Sequence, residues 1–184
     1  VVSKLYSSDG VGGSNHTIYS YFDGVCNVFG KGFLGFGKII MTNIETDQTL
    51  ESINQFNGQF SMYLPYKSKR LYAGHYLSES TSSYQVLPVS SISCNIQLTD
   101  EFQTDLISGA NVIRNNLTYD TFGNLTHEST NLNSGLLVTE VSNSYIQAGA
   151  FCPSKLENST KSVKRSNEPT ITVTDHLSYN STGL

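Results

Sequence analysis

The chain has 184 residues, a formal charge of −4 at pH 7 and 14% charged side chains, while Ser, Thr and Asn fill 59 positions. The acidic balance gives no general attraction for a nucleic-acid backbone. No apolar run approaches the roughly 18 residues of a membrane-spanning helix, and 11% aromatics with little charge argue against a disordered chain.

What remains is a polar, aromatic-rich β protein, with Val, Ile, Thr, Tyr and Phe for half-buried strands and Ser and Asn for their outer faces and turns. The chain opens in a strand pattern. SSDGVGGSN (7–15) then supplies Asp9-Gly10 and Gly12-Gly13, where positive φ costs little. Strands are expected at 16–22, 38–43 and 70–77, with a hairpin connection at 44–50. In 91–98, Ile92, Cys94, Ile96 and Leu98 alternate with Ser91, Ser93, Asn95 and Gln97, the pattern of a strand with one apolar and one polar face. The stretch 100–113 is the one candidate for a short helix, and Gly109 weakens it. Further strands are expected at 112–119, 124–129, 136–141 and 170–174, with 156–169 as an exposed, charged loop. The fold class is therefore all-β, a curved antiparallel sheet of β-hairpins. The final residues, YNSTGL, read as a turn, and 1–184 is expected to be one segment of a longer polypeptide.

Two motifs stand out. In GKGFLGFGK (30–38), Gly30, Gly32 and Gly35 match GxGxxG, but the flank runs into a strand pattern instead of an amphipathic helix, so a phosphate-binding loop is not expected. The expectation is a bend in which glycine allows close chain approach while Phe33, Leu34 and Phe36 anchor it. In NLTYDTFGNLTHES (116–129), Asp120 suits the start of a type I turn, and Gly123 suits the left-handed position that closes a hairpin with a bulge. Tyr119 is placed to lay its ring on a neighbouring repeat and keep its hydroxyl bonded, and Asn124 follows the turn. A weaker echo, Tyr179, Asn180 and Gly183, closes the chain. Such recurrence points to repeated hairpins.

At these residues the chain resembles the Rhs/YD-repeat proteins: YDTFGNLT is similar to a YD repeat. The segment with Tyr19 and Tyr21, then Gly30, Lys31, Gly32, Leu34, Gly35 and Phe36, resembles the Y-x-Y strand and G-[RK]-G-x-L-G-F bend of large bacterial toxins of this type. The B components of insecticidal toxin complexes and the Salmonella-type virulence plasmid proteins are the relatives it most resembles. The likeness spans roughly 1–130. It departs at Asp47, where the pattern has a turn glycine, and at Asn180, where YD has become YN. The resemblance implies repeats wound as a β-sheet spiral that closes into a hollow shell around a toxic C-terminal polypeptide. This chain would then be a patch of wall, secreted, partnered by the rest of the same toxin polypeptide or by a shell-forming subunit, with no nucleic acid and no membrane binding of its own.

No catalytic residue, cofactor or metal site is expected. His16, His75, His127 and His176 are scattered without HExxH or zinc spacing, and no GxSxG element or calcium loop occurs. Cys26, Cys94 and Cys152 are odd in number and far apart, which favours packed thiols over one disulfide with a free thiol. Sequons begin at Asn15, Asn116, Asn124, Asn158 and Asn180 and matter only in a eukaryotic secretory pathway. The rival reading is a secreted β-sandwich that binds carbohydrate or a surface protein through tyrosine-rich strands, to which the absence of Trp is a mild objection.

Overall fold

A computed structural model describes residues 1–8, 10–90, 93–146 and 154–179. In chain order the strands are β1 (Lys4–Ser8), β2 (Ser14–Asn27), β3 (Gly32–Asn43), β4 (Gln48–Asn57), β5 (Met62–Tyr72), β6 (His75–Pro88), β7 (Cys94–Asp105), β8 (Asn111–Tyr119), β9 (Leu125–Leu132), β10 (Leu137–Ile146), β11 (Lys155–Arg165) and β12 (Ile171–His176). The order across the sheet is the order along the chain, without a crossover. The expected fold class is what the chain adopts: antiparallel hairpins throughout, and no α-helix among the described residues. That single-sheet order is not that of the sandwich considered as a rival.

The residues cluster into two compact units, one of Val1–Ser82, Ser90–Cys94 and Gln103–Ala110, the other of Ser83–Val89, Asn95–Phe102 and Asn111–Leu184. In the first, short loops set the register. Asn43 pairs with Gln48, Asn57 with Met62, and Tyr72 with His75. The last pair encloses Ala73-Gly74, both at positive φ (48° and 76°), the two-residue turn whose twist matches the strands it joins. Register shifts at Val25/Cys26 and Ile53/Asn54 insert one extra residue into β3 and β5 and bend those strands locally. The second unit carries the same device, with a shift between Asn115 and Thr118 where Asn116 takes φ 55°.

Burial is the unusual feature. Among the described residues only Gly37, Phe60 and Ser129 are buried. The accessible surface is 12055 Å² for 20.2 kDa, against roughly 8,800 Å² for a compact monomer of that mass. The described strands expose side chains on both faces, and few of them contribute to an interior.

In the first unit the register sorts the side chains of β3–β6. Lys38 and Ile40, Glu51 and Ile53, Lys67 and Lys69, and Glu79 share one face, where Lys38 pairs with Glu51 at 3.3 Å and Lys67 with Glu79 at 2.6 Å. The other face carries Ile39, Met41, Leu50, Ser52, Ser68, Arg70, Ser78 and Ser80.

Several expectations need correction. Residues 70–77 are not one strand, since the Ala73-Gly74 turn splits them between β5 and β6. Residues 100–113 hold no helix: β7 runs to Asp105, whose carboxylate Oδ1 accepts the N–H groups of Ile107 and Ser108, and β8 starts at Asn111. The supposed loop at 156–169 is mostly β11, paired on one side with β10 and on the other with β12, its charges solvated on a strand. The polar strand β4, β5 before residue 70 and β6 beyond residue 77 lay outside the expected set. Ile96 remains 44% exposed despite the alternation around it. Cys26 is exposed and Cys94 half-buried, both free thiols. Asp9, Ile92, Cys152, Asn180 and Gly183 lie outside the described residues.

Candidate functional site

GKGFLGFGK forms the turn of the β2–β3 hairpin and the first half of β3. Gly30 (φ 114°) and Gly32 (φ 69°) shape the tip, and Asn27 Oδ1 caps it by accepting the Phe29 N–H at 2.9 Å. Leu34 is the extra residue of the bulge between the Cys26–Phe33 and Val25–Gly35 pairs. Phe36 packs on Phe33 at 4.9 Å and on Tyr21 at 4.6 Å, and Tyr21 stacks on Tyr19 at 6.3 Å. A row of rings therefore crosses β2 and β3 although Phe33 itself is 58% exposed.

Glycine is needed beneath this row for room. A Cβ on Gly24 would stand 3.2 Å from the Phe36 ring, and one on Gly37 only 2.9 Å from the Asp23 Cβ. Asp23 is itself at φ 54°, and its carbonyl accepts the Tyr63 hydroxyl at 2.6 Å. Tyr63 reaches it from β5, passing over Gly35, where an added Cβ would touch the ring at 3.4 Å. Lys31 at the hairpin tip donates to the Phe60 carbonyl at 2.7 Å, and Asn54 donates to the Phe36 carbonyl at 2.9 Å. The motif thus joins the β2–β3 hairpin to the β4–β5 hairpin through side-chain bonds to backbone carbonyls.

The second motif is the β8–β9 hairpin. Asp120 Oδ1 accepts the N–H groups of Phe122 and Asn124, both at 2.9 Å, while Oδ2 accepts the Asn124 side-chain amide at 2.8 Å. Gly123 sits at φ 86° and donates its N–H to the Asp120 carbonyl at 3.1 Å. The Tyr119 hydroxyl donates to the Leu98 carbonyl on β7 at 2.9 Å, and Asn124 also reaches Ser154 Oγ at 2.7 Å. Beside the hairpin, Arg114 of β8 holds Glu128 of β9 in a close ion pair and lies 3.8 Å from Glu101.

The tyrosine device recurs. Tyr21 donates to Val2 O at 2.6 Å, Tyr145 to Leu125 O at 2.9 Å and Tyr179 to Leu156 O at 2.6 Å. Each half-buried ring lies across the sheet and ends in a bond that a phenylalanine would lose. Burial raises the pKa of Tyr119 and of Tyr145 above that of a free phenol.

Reasoning from the sequence missed the caps Asn27, Asn43, Asn57 and Asp105 and the anchors Tyr63 and Tyr145. The signal for the caps was present. Asn43 caps the Thr46 N–H ahead of Asp47 (φ 52°), Asn57 caps the Phe60 N–H ahead of Ser61 (φ 51°), and Asp105 stands ahead of Gly109 (φ 73°). In each case an Asn or Asp precedes, by four positions, a residue at positive φ. Asp47, the departure from the resembled pattern, keeps that conformation without being glycine.

Three outcomes follow from this geometry. Gly37→Ala drives a methyl into a rigid Cβ and is expected to cost about 1–3 kcal/mol in thermal unfolding. Gly123→Val places a β-branched residue at φ 86° and is expected to cost at least about 1–2 kcal/mol; unchanged unfolding of either variant contradicts the corresponding contact. The third concerns pH. The Asn124 amide, then backbone N–H groups, hold Asp120 below the ordinary carboxylate range, and the Ser108 and Ile107 N–H groups do the same for Asp105. A depressed folded pKa contributes stability that is present above the unfolded value of about 3.9 and fades as pH falls through the folded one. Unfolding temperature should therefore drop below about pH 4, and less steeply in Asp120→Asn, when followed by circular dichroism.

No family model matches this chain, and no curated protein does. Among solved structures, the crystal structure of TcdB2-TccC3-TEV superposes with a TM-score of 0.59 at 9% identity over 85% of this chain and 12% of that one. The crystal structure of TcdB2-TccC3 without the hypervariable C-terminal region gives 0.62 at 10% identity, covering 90% of this chain and 13% of that one. The chain spans about an eighth of the length of these structures, and at such identity the likeness is one of fold.

Proposed function

We propose that this chain is a wall segment of a bacterial toxin shell of the Rhs/YD-repeat kind, a non-enzymatic, secreted element that encloses a toxic C-terminal polypeptide. Its partners are the remainder of the same toxin polypeptide or a shell-forming subunit. The observation that carries the reading is the missing interior: three buried residues among those described and an accessible surface about a third above that of a compact monomer. A freestanding binding module or enzyme positions its site on a packed core, whereas a wall needs only continuity. The fold likeness to structures of a TcdB2-TccC3 toxin complex supports the same reading.

Containment makes modest chemical demands. A sheet closed by backbone hydrogen bonds has no gaps between strands for a polypeptide to slip through, and its polar faces tolerate water on either side. Hairpin tips are ordinarily polar, but here Val28 is 84%, Phe29 94% and Ile107 75% exposed. In a wall such tips are covered by the next stretch of shell. β1 and β12, exposed along their whole length, carry backbone groups that further strands would pair.

Taken alone, the chain should therefore associate. Sedimentation velocity over a tenfold concentration range is expected to show oligomers or aggregates together with 1-anilinonaphthalene-8-sulfonate fluorescence. A compact monomer that unfolds cooperatively and binds no dye would remove the wall reading.

A further inference from the structure

In the first unit, the face opposite the paired charges carries a concavity of about 410 Å³. Two cross-strand rows build it. Thr17, Asn43 and Gln48 are paired side by side on β2, β3 and β4 and form a rung of hydroxyl and amide groups. The adjacent rung, Met41 paired with Leu50 and Leu50 with Arg70, is apolar and ends in a guanidinium on β5. The position of that charge is the anomaly. On the opposite face Lys38, Lys67 and Lys69 all have glutamate partners. The cross-strand neighbours of Arg70 are Leu50 and Ser78, and among the described residues no carboxylate pairs with it. Its five N–H donors project beside an apolar floor, a fork matched to a carboxylate.

We propose that this concavity is a binding site for an extended peptide segment bearing an acidic side chain next to branched aliphatic residues. The polar rung bonds the backbone of a chain laid across the strands, the Met41–Leu50 floor takes an aliphatic side chain, and Arg70 takes the carboxylate. The concavity runs from Thr17 on β2 to Leu77 on β6, four strand spacings of about 4.8 Å and room for several extended residues; the proposed ligand is an internal segment whose acidic side chain, not a chain terminus, meets Arg70. The site does not depend on the wall reading, since it rests only on the two rungs and on Arg70, which has no carboxylate partner among the described residues.

The test uses the full chain and fluorescein-labelled peptides built on acetyl-Leu-Leu-Glu-Leu-Leu-amide, followed by fluorescence anisotropy. Saturable binding is expected, weakened at least tenfold when glutamate is replaced by glutamine and by roughly tenfold to a hundredfold in Arg70→Gln. The glutamine peptide should bind that variant within twofold of the unchanged chain. Arg70→Lys, which keeps the charge and loses the fork, should fall between and provides the comparison should Arg70→Gln lose its β-sheet circular dichroism. Three results would overturn the proposal: no saturable binding, equal binding of the glutamate and glutamine peptides, or tighter binding of a glutamine peptide with a free C-terminal carboxylate. The last would make the ligand a chain end.

Discussion

A sheet exposed on both faces has to hold itself together in its own plane, and the rest of this structure follows from that. Ordering each residue costs about 1–2 kcal/mol of backbone entropy, which globular domains offset mainly by burying apolar side chains. Here that term is small. A net hydrogen bond contributes about 1 kcal/mol, an aromatic pair about 0.5–1.5 and an exposed ion pair less than about 1. In-plane contacts of this size must therefore be numerous and well placed, and they are concentrated where the ladder would otherwise fail. Tyr63 secures the carbonyl of left-handed Asp23 next to the β2–β3 bulge, and Lys31 binds the carbonyl of Phe60 at the β4–β5 tip. Phe60, 6% exposed, is the one buried apolar side chain among those described.

The same constraint explains the faces. With few described side chains buried on either face, charged residues sit among apolar ones and pair laterally, as Lys38 does with Glu51 and Arg114 with Glu128. Hydroxyl pairs cross neighbouring strands in the same way, Thr42 with Thr49 at 3.2 Å and Ser68 with Ser80 at 2.8 Å. Such pairs fix register, because a slip of one residue would set each partner on the opposite face. Among the described residues buried polar groups are few, and one lacks a match: Asn115 Oδ1, beside the bulge at Asn116 and across from buried Ser129.

What the sequence disclosed divides along physical lines. Hairpins whose turns carry Gly at the left-handed position were legible, and Asp120 and Gly123 occupy the roles their chemistry requires. Strands with apolar alternation were legible in place, although Ile96, on the apolar face of one of them, is 44% exposed. The polar strands were not. QTLESINQFN and KLENSTKSVKR have the composition of loops, and only pairing on both sides makes them β4 and β11. The helix considered at 100–113 failed to a local competitor, the carboxylate of Asp105 capping a turn. Tyrosine anchors such as Tyr63 leave no mark at all, since the carbonyl they reach lies 40 residues away.

The turn code also bears on how one fold can be built by chains with 9% and 10% identity. The loops opened by Asn43, Asn57 and Asp105 ask for two things, an oxygen on the residue before the turn and a positive φ near its end. Glycine meets the second at no cost, yet Asp47, Ser61, Ala73 and Asn133 meet it too, at φ of 47° to 52°. The penalty of about 1–2 kcal/mol for a non-glycine residue there is reduced where a short polar side chain bonds locally. A requirement on backbone sign and one acceptor leaves most side chains free. Strand faces that border water on both sides restrict them little further. Many sequences can therefore satisfy the same hairpin geometry, and the choice is narrow where a ring crosses a glycine, as Phe36 crosses Gly24 and Tyr63 crosses Gly35.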